Sequence, residues 1–161
     1  MHRIFITGIC GFVGSNLAHY FQSLGNQVYG IDNLSRKGSE KNFKLLKKEG
    51  VKIFKGDLTK LKKYKIFKKN VNFHAFIHCA ALTSVLDGTN NNSAQFLYKN
   101  NILSTLESLK LCSLMKSKFI YISSSRVYSL QPLNNLKLKF KKNYKLSLNN
   151  ISGLSKKGVN E

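Results

Sequence analysis

Tryptophan is missing from this 161-residue chain, proline occurs once, at Pro132, and acidic side chains number only 7. With a single proline there is no proline-rich linker, and no internal repeat is visible, so residues 1–161 are read as one domain without an internal boundary. Cysteine is sparse and odd in number: Cys10, Cys79 and Cys112, with no CxxC pair. A zinc ribbon or a thioredoxin-type motif is therefore unsupported, and no residues are singled out as metal ligands. Each cysteine reads as a small buried hydrophobe, and a reducing, cytoplasmic setting is expected. No apolar run approaches the roughly 18–20 residues needed to span a bilayer, so no membrane partner is expected. The first apolar stretch, Ile4-Phe5-Ile6, ends at Thr7-Gly8, too short for the core of a secretion signal. Collagen, coiled coil, membrane span and disulfide scaffold are excluded.

The scarcity of acid has a counterpart in 27 basic residues, which gives a formal net charge of +20. Such a surplus raises nucleic acid as a partner. Only Arg3, Arg36 and Arg126 are arginine, however, and asparagine is abundant alongside lysine. Lysine and asparagine share adenine-rich codons, and arginine, the usual reader of guanine, is nearly lacking. Lysines cluster at Lys60, Lys62, Lys63, Lys65, Lys68 and Lys69, and again between Lys137 and Lys145. These runs are read as solvated faces, and nucleic acid is not expected as a specific partner.

Hydrophobic residues make up 42% of the chain, enough for a packed core, and they fall in short runs separated by longer mixed segments. Strands are expected at 3–7, 27–31, 51–55, 73–79 and 119–123. Helices are expected at 12–24, 40–49, 58–69 and 93–115. In the first helix Val13, Leu17, Phe21 and Leu24 share a face, with Gly25 as the stop; in the last, Leu103, Leu106 and Leu109 are among the apolar positions. Alternation of strand and helix implies a parallel sheet covered on both faces. Right-handed crossovers make a doubly wound, Rossmann-like α/β/α sandwich the simplest topology. From Tyr128 onward the pattern changes, and Leu136 to Lys141 alternates apolar and basic residues as an edge strand or extended segment would.

Thr7-Gly8-Ile9-Cys10-Gly11-Phe12-Val13-Gly14 follows the first strand and opens the first helix. One glycine turns the chain sharply, a second admits backbone N–H groups to a pyrophosphate, and a third lets the helix pack close to the sheet. The helix N-terminus adds donors and the positive end of its dipole. Asp32 ends the second strand, 18 residues after Gly14. A carboxylate there accepts from adenosine ribose hydroxyls and repels a 2′-phosphate, which favours NAD over NADP. Arg36 and Lys37 weaken that preference by offsetting phosphate charge.

These residues resemble the NAD-dependent epimerase/dehydratase family of extended short-chain dehydrogenases/reductases. The spacing Gly8, Gly11, Gly14 is that family's pattern, and Gly30-Ile31-Asp32-Asn33-Leu34-Ser35-Arg36-Lys37-Gly38 looks like its nucleotide-sugar epimerases, especially the CDP-paratose/CDP-tyvelose 2-epimerase group. The resemblance covers the amino-terminal portion of a family member. It implies that NAD is the cofactor and a nucleotide sugar the substrate, with a homodimer allowed in the complete enzyme. It places Gly8, Gly11, Phe12, Val13, Gly14, Asp32 and Asn33 at the cofactor, with Asp57 and Leu58 of Gly56-Asp57-Leu58 at the adenine. His78-Cys79-Ala80-Ala81 ends the fourth strand, where Ala80, Ala81 and then Thr83 let the cofactor lie close. Asn101 matches the family's asparagine near the cofactor, and Ser124 its active-site hydroxyl, four residues before Tyr128. His78 is read as structural and is not proposed as a base.

The family's chemistry also needs a Tyr-x-x-x-Lys pair after the serine motif, where the Lys⁺ lowers the tyrosine pKa and the phenolate serves as base. Tyr64 and Lys68 have that spacing but precede the fourth strand, and are read as coincidence; Tyr144 is better placed but is followed by Leu148. The implied activity is transient oxidation and re-reduction of a nucleotide-linked sugar in the complete enzyme, with the substrate-binding domain absent here. The alternative is a dinucleotide-binding module, or a truncated product, without turnover.

Overall fold

The computed structural model describes residues 1–63, 72–83 and 91–123. By its internal contacts the chain divides into two units. The first, Met1–Thr83 with Phe96–Ile122, contains the entire described sheet. The second comprises Ser84–Gln95 and Ser123–Glu161, and its described part is residues 91–95, which are helical, and Ser123. Ser124, Tyr128, Tyr144, Leu148, the Tyr64–Lys68 pair and the alternating stretch 136–141 lie outside the described residues.

The strands are β1 (Arg3–Thr7), β2 (Gln27–Asp32), β3 (Lys52–Lys55), β4 (Ala75–His78) and β5 (Lys118–Tyr121). They form one parallel sheet in the order β3-β2-β1-β4-β5. The helices are α1 (Phe12–Ser23), α2 (Ser39–Lys48), α3 (Asn91–Leu97) and α4 (Ser104–Leu114). This is the expected Rossmann-like α/β sandwich. Buried parallel strands send apolar side chains to both faces. Ile4, Ile6, Val28 and Ile77 pack with Ala18 of α1 and Leu46 of α2. Phe5, Tyr29, Ile31 and Phe76 pack on the opposite face with Leu111 and Cys112 of α4. No helix among the described residues is long and apolar enough to cross a membrane.

Four expectations need correction. Val13 and Leu24 are exposed, and α1 instead buries Gly14, Ser15 and Ala18. In α4, Leu106 and Leu109 are exposed while Ser104, Ser108, Leu111 and Cys112 are buried. Both helices turn small residues toward the sheet, so the backbones approach closely; of the expected α1 face, Leu17 and Phe21 do pack half-buried against the core, and Val13 and Leu24 at its ends do not. Residues Leu58–Lys63 form a 3₁₀ segment with a break at Lys60 rather than the start of an α-helix. Its cause is Asp57, whose Oδ1 accepts from both the backbone N–H and the hydroxyl of Thr59 and tightens the turn. The long helix expected at 93–115 is interrupted by a π segment, Tyr98–Leu103. The hydroxyls of Ser104 and Thr105 donate to the carbonyls of Asn100 and Asn101, which supports backbone groups that regular helix pairing would otherwise take.

Candidate functional site

Strand order reverses between β1 and β4, and such a switch point opens a crevice at the carboxyl ends of the strands. A cleft of ≈ 290 Å³ lies there. Gly8 has φ +63 and leaves β1 in the left-handed region, where a side chain would be strained; a Cβ on it would also lie 2.8 Å from the Ala80 backbone. A Cβ on Gly14 would meet Gly8 O at 2.2 Å, and one on Gly11 would meet the same oxygen at 3.2 Å. The turn is therefore a cradle that side chains would fill. Its N–H groups are largely used internally: Gly8 N–H donates to Ile31 O, Cys10 N–H to Asp32 Oδ2, and Gly11 N–H to Gly8 O. The first-turn N–H groups of α1, from Phe12 to Gly14, face the helix mouth, and no side chain caps them.

Sequence reasoning overlooked Gly30. A Cβ there would come within 2.5 Å of both Ile6 O and the fully buried Ile9 side chain, so this glycine makes room for the turn beneath the cleft. The available signal was a glycine inside a strand pattern.

Asp32 is held in place from two sides. Oδ2 accepts from Cys10 N–H at 2.9 Å, and Oδ1 accepts from Leu34 N–H at 2.8 Å. Each oxygen retains a second lone pair, and Asp32 lines the cleft. Asn33 lines the cleft, but its Oδ1 accepts from Ser35 N–H. Arg36 reaches across the rim and donates from Nη2 to Thr83 Oγ1 at 2.9 Å. Lys99 lies 3.7 Å from the other carboxylate oxygen of Asp57. Burial alone would raise the Asp57 carboxyl, but the two hydrogen bonds from Thr59, together with Lys99 and Lys60, hold it below its ordinary value.

Gly8, Gly11, Phe12, Val13 and Gly14 line the cleft, as do Asp32, Asn33, Asp57, Leu58, Ala80, Ala81 and Thr83. Asn101 does not line it. Its side chain instead donates to Leu82 O at 3.1 Å and accepts from Leu82 N–H at 2.8 Å, so it acts on the cleft through the loop after β4. Ser35, Ser39, Asn100 and Ser104 also line the cleft and were not singled out from sequence. Burial, with Asp32 adding to it, pushes the Cys10 thiol up to about 12, and burial pushes Cys79 up to about 11, which disfavours the thiolate at both.

The sequence profile of the NAD dependent epimerase/dehydratase family matches residues 4–147. The chain belongs to that family. It is 33% identical over 132 residues to a dTDP-D-glucose 4,6-dehydratase of Dictyostelium discoideum, covering 80% of this chain and 30% of that protein. It is 33% identical over 135 residues to the CDP-paratose 2-epimerase of Salmonella typhi, covering 78% of this chain and 38% of that protein. The solved UDP-Glc/GlcNAc 4-epimerase of Campylobacter jejuni matches with a TM-score of 0.74 and 26% identity, covering 91% of this chain and 43% of that one. This family member thus spans well under half the length of each of these relatives.

Proposed function

We propose that this chain is the dinucleotide-binding portion of a NAD-dependent nucleotide-sugar epimerase or dehydratase. The observation that carries the reading is the uncapped first turn of α1, set at the switch point over a glycine cradle that has no room for Cβ atoms, with Asp32 beside it. In this reading the N–H groups of Phe12 to Gly14 donate to the pyrophosphate, and Asp32 accepts from the adenosine ribose hydroxyls. Asp57 and Leu58 border the adenine. Ala80, Ala81 and Thr83 form the floor, with Asn101 holding Leu82. NAD⁺, when bound, supplies a hydride acceptor that returns the hydride within the same turnover. Ser124, assigned from its motif alone, donates a hydrogen bond to the substrate oxygen at the reacting carbon.

Calorimetric titration of the 161-residue chain with NAD⁺ and NADP⁺ tests the cofactor half of this reading. Saturable NAD⁺ binding, weakened in Asp32→Ala, is expected; silence toward both dinucleotides overturns it. A second reading, a dinucleotide-binding module without turnover, is favoured by Leu148 standing where a lysine would follow Tyr144. It predicts NAD⁺ binding with no conversion of CDP-, dTDP- or UDP-sugars.

A further inference from the structure

Beneath the cleft, six residues from three stretches of the chain are joined by hydrogen bonds. Thr7 ends β1 and is fully buried, and His78 ends β4 beside it in register. Thr7 Oγ1 lies 2.9 Å from His78 Nδ1, and Thr105 Oγ1 lies 3.1 Å from His78 Nε2. Ala80 N–H donates to Thr7 Oγ1 at 3.3 Å, and Thr105 Oγ1 donates to Asn101 O at 2.6 Å. Asn101 in turn clasps both backbone groups of Leu82.

The donors and acceptors close in one direction. The Thr105 hydroxyl proton is committed to Asn101 O, so its oxygen accepts, and His78 Nε2 must carry the proton. Nδ1 is then an acceptor, so the Thr7 hydroxyl donates to it and its oxygen receives Ala80 N–H. The ring is sealed from water, stacked on Phe119 and Tyr121 with centroids 6.0 and 5.7 Å away. Burial pushes its pKa down to about 4, so it is neutral under ordinary conditions. At its two ends the chain of bonds grips Ala80 and Leu82, in the loop that floors the cleft.

We propose that Thr7, His78, Thr105 and Asn101 form a relay, centred on the buried His78 ring and held in one fixed tautomer, that sets the Ala80–Leu82 backbone, making Thr105, which is outside the cleft lining, a positioning residue for dinucleotide binding. Its consequence for binding rests on the dinucleotide reading above; the relay itself does not. A hydroxyl at 105 is required because it must donate to Asn101 O and accept from His78 at once. Valine has the same shape and can do neither.

The experiment uses the full 161-residue chain, wild type, Thr105→Val and Thr105→Ser. Long-range ¹H–¹⁵N spectra report the His78 tautomer, amide exchange reports Ala80 and Leu82, and calorimetry reports NAD⁺ affinity. Wild type should show the Nε2–H tautomer with protected Ala80 and Leu82 amides. Thr105→Val should mix tautomers, speed exchange at both amides and weaken NAD⁺ about three- to tenfold, while Thr105→Ser should stay within about twofold of wild type. An Nδ1–H tautomer in wild type, or unchanged amide exchange in Thr105→Val, overturns the relay. Faster exchange with unchanged NAD⁺ affinity overturns the positioning role. If wild type binds no NAD⁺, the dinucleotide reading and the positioning role fall together, and the tautomer and exchange readouts still decide the relay. Should Thr105→Val not fold, Asn101→Ala, which removes the clasp on Leu82, takes its place, with faster Leu82 exchange and weaker NAD⁺ binding expected and no change in either overturning the proposal.

Discussion

Gly14 lies so close to Gly8 that a Cβ on it would sit 2.2 Å from the Gly8 carbonyl oxygen and 2.8 Å from Ile9 Cα. Both obstacles are backbone, so nothing flexible can yield. Gly14→Ala must push α1 away from the turn, at a cost of about 1–3 kcal/mol typical of overpacking. The displaced helix mouth should lose at least about tenfold in NAD⁺ affinity, since binding depends on where the first-turn amides point. Gly11→Ala meets the same oxygen at 3.2 Å and should cost less on both measures. Urea denaturation and calorimetry on the two variants check the ranking; equal effects would contradict it.

Asp32 is expected to show two separable roles. Its carboxylate receives the N–H groups of Cys10 and Leu34, so Asp32→Ala should destabilise the fold by about 1–3 kcal/mol even without ligand. On the proposed reading the same change also removes the ribose acceptor and the repulsion of a 2′-phosphate. NAD⁺ affinity should fall about tenfold or more, while NADP⁺ affinity, helped by Arg36 at the rim, should not fall in parallel. Titrations with both dinucleotides beside a denaturation curve measure these effects. Parallel loss of both affinities would assign Asp32 to the turn alone.

The succession of strands and the glycine turn were legible because both follow from local rules: short apolar runs make strands, and a strand-to-helix bend with three glycines permits few shapes. The buried helix faces were not. In α1 and α4 the residues that touch the sheet are glycine, alanine, serine and cysteine beside leucine, so the hydrophobic stripe gave no warning that Val13, Leu24, Leu106 and Leu109 stay exposed. Asn101 was placed near the cofactor but not on Leu82, because its orientation depends on a π segment that no periodicity announces. Gly30 was passed over because its reason, the Ile9 side chain, comes from a different element.

Cys10 and Cys112 are buried and Cys79 half-buried, and burial raises all three thiols. Few are thiolate at pH 8, and the thiolate is the reactive form. A disulfide reagent such as DTNB should therefore label the folded chain slowly and reach all three cysteines only after denaturant is added. Rapid labelling of a single cysteine in the folded chain would show that its burial is transient.

His78 ties stability to pH in a direction fixed by its neighbours. Thr7, Thr105 and Phe119 offer no charge to an imidazolium, and burial lowers the pKa from 6.5 to about 4. The unfolded chain therefore takes up the proton first as pH falls. The stabilisation is fully present above about pH 6.5, declines below it and is lost as pH drops through about 4. Over that window the residue should account for up to about 3 kcal/mol. Denaturation curves from pH 7 to pH 4 should show the decline in wild type and a flatter profile in His78→Gln, which starts less stable at pH 7 but has no group there to titrate. Identical slopes in the two proteins would mean that His78 reaches water and that the burial beneath the cleft is not maintained in solution.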